Sequence, residues 1–299
     1  MTLDALRELA TSSLQADSPF GAHTTYRVGG TARHVLRVES RGQLALWGDA
    51  LRDIENIYVL GNGSNTLVSD EGFDGLVIVL GEEFSQLTVA DGGRVTAGAA
   101  LDLPVVARRS VEAGLRGFEW AVGVPGTIGG AVTMNAGGHG SDMAASVVSV
   151  DIWDVASASV LHQSRDDLRF SYRRSAITSR QIVLSATLQL TAGDSDEGRE
   201  VMREIVRWRR EHQPGGANAG SVFQNPPASS AGQLIDECGL KGRRHGSAHV
   251  SEKHANFIQV DADGRADDVA DLMTVVHDTV LVERGVDLHT EIRLVGFSQ

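Results

Sequence analysis

The sequence predicts an α+β chain of two or three domains. The chain has 299 residues, more than a single hydrophobic core usually supports. Short strand-like apolar runs alternate with segments whose apolar residues recur at helical spacing. A stop at Gln213-Pro214-Gly215-Gly216 follows the most regular of those helices and marks a domain boundary near residues 200–215.

The first segment, MTLDALRELATSSL, predicts a short amphipathic helix with Leu3, Leu6 and Leu9 along one side. It lacks the basic and apolar regions of a secretory signal. Ile57-Tyr58-Val59-Leu60 reads as a buried strand running into Gly61-Asn62-Gly63-Ser64-Asn65, and a second strand follows over Leu76 to Leu80 after the turn Ser69-Asp70-Glu71-Gly72. Val95 to Ala97 predicts a short strand, and Pro104 to Ala113 a helix closed by Gly114. A glycine-rich passage runs from Gly123 to Gly140, and strands are predicted over 147–153 and 182–190. From Asp196 a helix carries Val201, Ile205 and Trp208 on one face. The last part predicts a strand over 255–260, a turn at Asp261-Ala262-Asp263-Gly264, a helix from Asp268 to Arg284 capped by Gly285, and a strand over 292–295.

Composition narrows the function. The chain is 41% hydrophobic and 22% charged, with a formal charge of −12, which disfavours nonspecific binding to nucleic acid or acidic membranes. No apolar run approaches the roughly 20 residues of a membrane span. A single cysteine, Cys238, excludes an internal disulfide and any CxxC pair. Cytoplasm is the expected location. Redox chemistry, if present, needs a cofactor. His245, His249 and His254, with Glu252 nearby, fit no standard zinc spacing, so no metal is expected.

Gly61-Asn62-Gly63 fails as a dinucleotide fingerprint of the doubly wound kind, because Thr66 replaces the third glycine and a turn stands where a helix should open. What remains is either a plain turn or a loop whose backbone N–H groups wrap a diphosphate. The second passage, Gly123-Val124-Pro125-Gly126-Thr127-Ile128-Gly129-Gly130-Ala131-Val132-Thr133-Met134-Asn135-Ala136-Gly137-Gly138, interleaves glycines with apolar residues. That texture suits a buried backbone lying against a flat ligand, with close structural packing as the alternative.

At these residues the chain resembles the UDP-N-acetylenolpyruvoylglucosamine reductases. The likeness runs through Thr24-Thr25-Tyr26-Arg27-Val28-Gly29-Gly30, both glycine segments, Ser171-Tyr172-Arg173-Arg174-Ser175, Asn218-Ala219-Gly220-Ser221-Val222-Phe223, Val250-Ser251-Glu252-Lys253-His254-Ala255-Asn256-Phe257 and Glu291-Ile292-Arg293. These segments stand in family order from about residue 20 onward, and the length resembles the shorter, type II branch. The resemblance implies a two-part FAD-binding module of the vanillyl-alcohol-oxidase (PCMH) type plus a smaller C-terminal substrate-binding domain, with parts at 1–82, 83–205 and 206–299. It implies noncovalent FAD, because the matching stretches 61–65 and 123–138 offer no His or Cys to the flavin ring. The expected cofactor-binding residues are Gly61, Asn62, Gly63, Ser64, Asn65 and Thr66 in the first loop. In the second they are Pro125, Gly126, Thr127, Ile128, Gly129, Gly130, Ala131, Asn135 and Gly137.

The chemistry the resemblance implies is hydride transfer from NADPH, by way of the flavin, to the enolpyruvyl group of UDP-N-acetylglucosamine enolpyruvate. Hydride arriving at the vinyl carbon leaves negative charge beside the substrate carboxylate, which needs stabilisation and then a proton. Ser221 aligns with the family's proton donor, Arg173 with the arginine that pairs with the substrate carboxylate, and Glu291 with the catalytic carboxylate. Taken alone, Ser221 reads as a turn or cap serine and Glu291 as the solvent-facing residue of a strand. Arg169 and Arg174 read as surface residues, and Tyr172 either orients the site or packs. Gln224 stands where the family often has lysine and, with Asn225, is expected to contact substrate. A monomer or weak oligomer acting on small molecules is expected. The rival readings are an FAD oxidoreductase acting on a sugar alcohol or lactone, and a noncatalytic nucleotide-binding protein.

Overall fold

Residues 3–297 are described by a computed structural model, and they divide into two compact units, each assembled from three stretches of chain. The first comprises the chain up to Ala16, His34–Gly61 and Gly75–Trp208; the second comprises Asp17–Arg33, Asn62–Asp74 and the chain from Arg209.

The first unit begins with α1 (Leu3–Leu9), whose Leu6 is fully buried while Leu9 is exposed, so the expected three-leucine face is narrower than predicted. Ser40 starts α2 (Arg41–Arg52) by accepting a hydrogen bond from Gln43 N, and Leu44, Trp47 and Leu51 turn inward at helical spacing. A four-stranded sheet has the order Leu14–Pro19, Thr31–Val38, Phe73–Leu80, Ile57–Leu60, with the last two strands parallel. A five-stranded sheet, antiparallel throughout, has the order Ser159–Ser164, Val147–Asp154, Gln181–Gln189, Arg94–Gly98, Leu87–Ala90. Its edge strand Ser159–Ser164 escaped prediction because none of its residues is fully buried, so no apolar alternation stands out.

Helix α3 (Leu103–Glu112) carries Pro104 in its first turn and ends before Gly114, whose φ of +74° is the left-handed stop expected there. The glycine-rich passage holds α4 (Ile128–Met134), which glycine composition hides from a propensity reading. Thr127 accepts a bond from Gly130 N at its start, and Asn135, at φ +44°, ends it in the left-handed region. In α5 (Ser195–His212) the buried face is Gly198, Met202 and Ile205. Of the predicted face Ile205 is buried, Val201 half-buried and Trp208 exposed, so Gly198 and Met202 complete the stripe instead. Gly198 fixes that phase: a Cβ there would stand 2.7 Å from a Val111 methyl, so the helices approach at glycine.

The second unit packs α6 (Ala231–Glu237), α7 (Ala266–Arg284) and a three-stranded antiparallel sheet, Arg244–His245, Ala248–Val250, Ile258–Val260, around Val250, Ile258, Val269, Leu272 and Val276. Burying each such side chain contributes roughly 1.5–3 kcal/mol. The strand expected over 255–260 is confined to Ile258–Val260, because Phe257 N donates to His254 O and makes a turn of the preceding residues. Helix α7 has no cap from Arg265, the residue before it; Asp70, far away in sequence, accepts from Ala266 N and Asp267 N, both at 3.1 Å. Gly285, at φ +68°, terminates the helix. The last strand, Arg293–Val295, pairs in parallel with Thr66–Val68. No helix among the described residues is long and apolar enough to cross a membrane.

Candidate active site

In the first unit Gly61 lies against Thr127 of the second glycine segment. A Cβ added to Gly61 would stand 2.5 Å from Thr127 Oγ1, so only glycine allows that approach. The amides of α4's first turn are consumed internally. Ile128 N donates to Leu101 O and Gly129 N to Ala99 O, each at 2.8 Å, while Gly130 N and Ala131 N turn back to Thr127. Ile128 and Ala131 send their side chains into the core. The N–H groups of Gly126 and Thr127, by contrast, donate to no acceptor among the described residues. Two unspent donors beside a residue with no side chain suit a diphosphate.

Asn135 is 2% exposed, and its amide is fully engaged. Its Nδ2 donates to Ser171 O at 2.9 Å and to Asp142 at 3.1 Å, while Oδ1 accepts from Ala144 N at 3.0 Å. It acts here as a clamp on the segment 171–175. Ser171 and Arg174 exchange backbone bonds at 2.9 and 3.1 Å, so Tyr172 and Arg173 form the tip of a tight turn. Ser175 Oγ fastens the turn's other end to Thr133 O at 2.7 Å. Arg173 takes a left-handed φ of +56°, an uncommon conformation held by these flanking bonds. Arg173 is half-buried, and its Cζ lies 5.2 Å from the ring centroid of Tyr172, which is itself exposed.

In the second unit the loop 62–66 runs beside Glu291. Asn65 Nδ2 donates to Glu291 O at 3.1 Å, and Arg293 N donates to Asn65 O at 2.9 Å. Gly63 has φ +61° and accepts from Thr25 N. The N–H groups of Gly63 and Asn65 donate to no acceptor among the described residues. Each glycine segment, taken within its own unit, offers backbone donors of the kind that suit the diphosphate of a flavin dinucleotide.

The segment bearing Ser221 follows a turn in which Asn218 Oδ1 accepts from Gly220 N at 3.0 Å and Gly220 adopts φ +77°. Ser221 is half-buried, and its hydroxyl makes no hydrogen bond among the described residues. Glu291 N donates to Val222 O at 2.7 Å, bringing the glutamate to the residue next to Ser221. Gln224 and Asn225, expected to meet substrate, have local duties. Gln224 Nε2 donates to Thr290 O at 3.2 Å, and Asn225 Oδ1 accepts from Ala231 N at the start of α6.

Asn256, for which the sequence alone suggests no role, is buried and bonded to both Val222 and Phe223. Its signal was an asparagine among apolar residues, which buries only when its amide is satisfied. His254 meets the Phe257 ring edge-on, with centroids 4.8 Å apart, and burial, with Lys241 nearby, lowers its pKa. His245 pairs with Asp271 at 3.4 Å and His249 lies 4.0 Å from Asp261, so the three histidines have separate partners. No group of three or more His, Cys, Asp or Glu among the described residues is arranged to hold a metal ion.

Comparison with known proteins agrees with this architecture. Residues 32–164 match a family described as FAD binding domain, and residues 212–295 match the UDP-N-acetylenolpyruvoylglucosamine reductase C-terminal domain. The chain is 42% identical to the UDP-N-acetylenolpyruvoylglucosamine reductase of Synechococcus sp. (strain WH7803), over 95% of this chain and 94% of that one. It is 43% identical to that of Paramagnetospirillum magneticum, over 94% and 91%. The crystal structure of the reductase from Thermus caldophilus superposes with a TM-score of 0.82 at 36% identity, covering 94% of this chain and 99% of that one. An α+β FAD-binding module followed by this C-terminal domain is the fold class expected from the sequence. The chain belongs to the UDP-N-acetylenolpyruvoylglucosamine reductase family, FAD-containing oxidoreductases of peptidoglycan synthesis.

Proposed function

We propose that this protein reduces UDP-N-acetylglucosamine enolpyruvate to UDP-N-acetylmuramate with NADPH, using noncovalently bound FAD. The observation that carries the reading is the bond from Glu291 N to Val222 O, which sets a carboxylate-bearing residue beside a serine whose hydroxyl is uncommitted. Bound FAD would supply the hydride chemistry linking NADPH to the vinyl carbon of the substrate.

The chain's own residues handle charge and proton. Arg173 pairs with the substrate carboxylate; its guanidinium stays charged and donates as a fork, so it offsets the charge that accumulates next to that carboxylate. Ser221 gives its hydroxyl proton to the adjacent carbon. A serine is a weak acid, yet it suffices against a strongly basic enolate held beside it. Glu291 polarises the intermediate or assists the relay that reprotonates Ser221. Tyr172, Gln224 and Asn225 contribute to substrate binding, with Gln224 supplying hydrogen bonds but no charge.

FAD is held by the segments 61–66 and 125–131, the latter offering the N–H groups of Gly126 and Thr127, with Asn135 and Gly137 shaping it. Along the chain, residues 1–82 and 83–205 serve FAD and 206–299 the substrate. The enzyme works in the cytoplasm as a monomer or weak oligomer.

Anaerobic visible absorbance tests the reading. Flavin absorbance is expected to bleach with NADPH and return when UDP-N-acetylglucosamine enolpyruvate is added. Bleaching without return would move the function to an oxidoreductase with another substrate. A protein that stays colourless after FAD is supplied would end the proposal.

A further inference from the structure

We infer that Asn256 is a positioning residue that fixes the Ser221–Glu291 pair, an inference resting on the proposed role of Ser221 as proton donor. Every backbone polar group of Val222 and Phe223 is committed, and Asn256 supplies three of the four partners. Val222 N donates to Asn256 O at 2.9 Å. Phe223 N donates to Asn256 Oδ1 at 3.0 Å, and Asn256 Nδ2 donates to Phe223 O at 2.8 Å. The fourth partner is Glu291, whose N–H reaches Val222 O at 2.7 Å. A two-residue segment is therefore held between Asn256 on one side and Glu291 on the other, with Ser221 as its immediate neighbour.

The clamp has a support of its own. Asn256 N donates to His254 Nδ1 at 3.3 Å, and Ser251 Oγ accepts from His254 N at 3.4 Å and Lys253 N at 3.1 Å. Asn256 is 3% exposed and Ser251 1% exposed, so water does not compete for these bonds. Accepting that N–H requires His254 Nδ1 to be unprotonated, and its burial favours the neutral ring. Asparagine is the side chain this geometry demands, because one planar amide must accept from Phe223 N and donate to Phe223 O together. Aspartate lacks the donor, and leucine, of similar size, would leave both groups unsatisfied. The consequence is that Ser221 has little freedom to drift from the carbon it protonates, and displacement of about 1 Å at a reacting group can cost on the order of a hundredfold in rate.

The test uses the FAD-loaded enzyme and follows two half-reactions separately by stopped flow. In Asn256→Ala, bleaching by NADPH is expected within about twofold of the unsubstituted rate. Reoxidation at saturating enolpyruvyl substrate is expected to fall about ten- to a hundredfold, in kcat more than in KM. In Ser221→Ala/Asn256→Ala, reoxidation is expected to be no slower than in Ser221→Ala alone, because the clamp acts through the serine. Asn256→Asp, closer in shape, covers the case in which the alanine variant does not fold. Its reoxidation, relative to the unsubstituted enzyme, is expected to recover as pH falls and the new carboxyl gains an O–H for Phe223 O. Reoxidation at the unsubstituted rate at neutral pH in either single variant, equal loss in both half-reactions, or additive losses in the double variant would overturn the inference. Ser221→Ala reports on the underlying reading by itself. Slow reoxidation there with an unimpaired Asn256→Ala defeats only the positioning role, whereas normal reoxidation there defeats the proton-donor reading and the inference with it.

Discussion

Gly61 lies so close to Thr127 that a Cβ on it would stand 2.5 Å from the threonine hydroxyl oxygen, which also accepts the Gly130 N–H at the start of α4. In Gly61→Ala the threonine must move away, taking the neighbouring free amides with it. Overpacking of this kind costs about 1–3 kcal/mol. The expected outcome is FAD binding weakened roughly tenfold or more, read by flavin fluorescence titration of the apoprotein. Unchanged affinity would remove the close approach from the account of the cofactor site.

Ser221→Ala separates proton delivery from hydride supply. Its NADPH-driven bleaching is expected to be unchanged, while reoxidation by the enolpyruvyl substrate slows by about 10²–10⁴-fold, the usual worth of a general acid. Stopped-flow absorbance measures both. Loss of bleaching would instead point to damage at the flavin.

Asp70 caps α7 from a distant part of the sequence through two backbone bonds and a 3.3 Å ion pair with Arg265. Asp70→Ala is expected to cost about 0.5–2 kcal/mol, as for other helix caps, with Asp70→Asn losing less because its amide oxygen still accepts. Thermal unfolding followed by circular dichroism decides between them. Equal melting temperatures for all three proteins would deny the cap any energetic role.

His277 bonds Asp287 and Asp278, each at 2.8 Å, and these raise its pKa, Asp287 most. A histidine whose folded pKa exceeds its unfolded value stabilises the fold fully below the unfolded pKa, near 6.5, and that contribution disappears as pH rises through the raised folded value. Asp287 is shifted down, chiefly by the same hydrogen bond, so its share is lost on acidification. In His277→Gln, the unfolding midpoint in urea is expected to lose this decline between mildly acidic and mildly alkaline pH. A variant whose pH profile parallels that of the unsubstituted protein would assign the decline elsewhere.

Much of the local structure was legible because its signals are local. Gly114 and Gly285 stop helices through left-handed backbone, and the strands near 57–60 and 182–190 announce themselves as apolar runs. The edge strand Ser159–Ser164 was not, since a half-exposed strand lacks the alternation a buried face imposes. Helix α4 was hidden because glycines lower helix propensity, and its stability derives from Thr127, Asn135 and a buried Ile128–Ala131–Val132 face.

The sequence by itself determined the residue types and their order: two glycine segments, the arginine at 173, the serine at 221, the glutamate at 291 and the helices and turns between them. These follow from backbone sterics and short-range periodicity, which neighbouring residues settle. Only the tertiary structure decided that Gly61 faces Thr127, that Asp70 caps α7, and that Val222 is held between Asn256 and Glu291. Each of those pairings joins groups more than thirty residues apart in sequence. No local periodicity encodes such a partner; it is selected when packing buries both groups and each must satisfy its hydrogen bonds or share limited space.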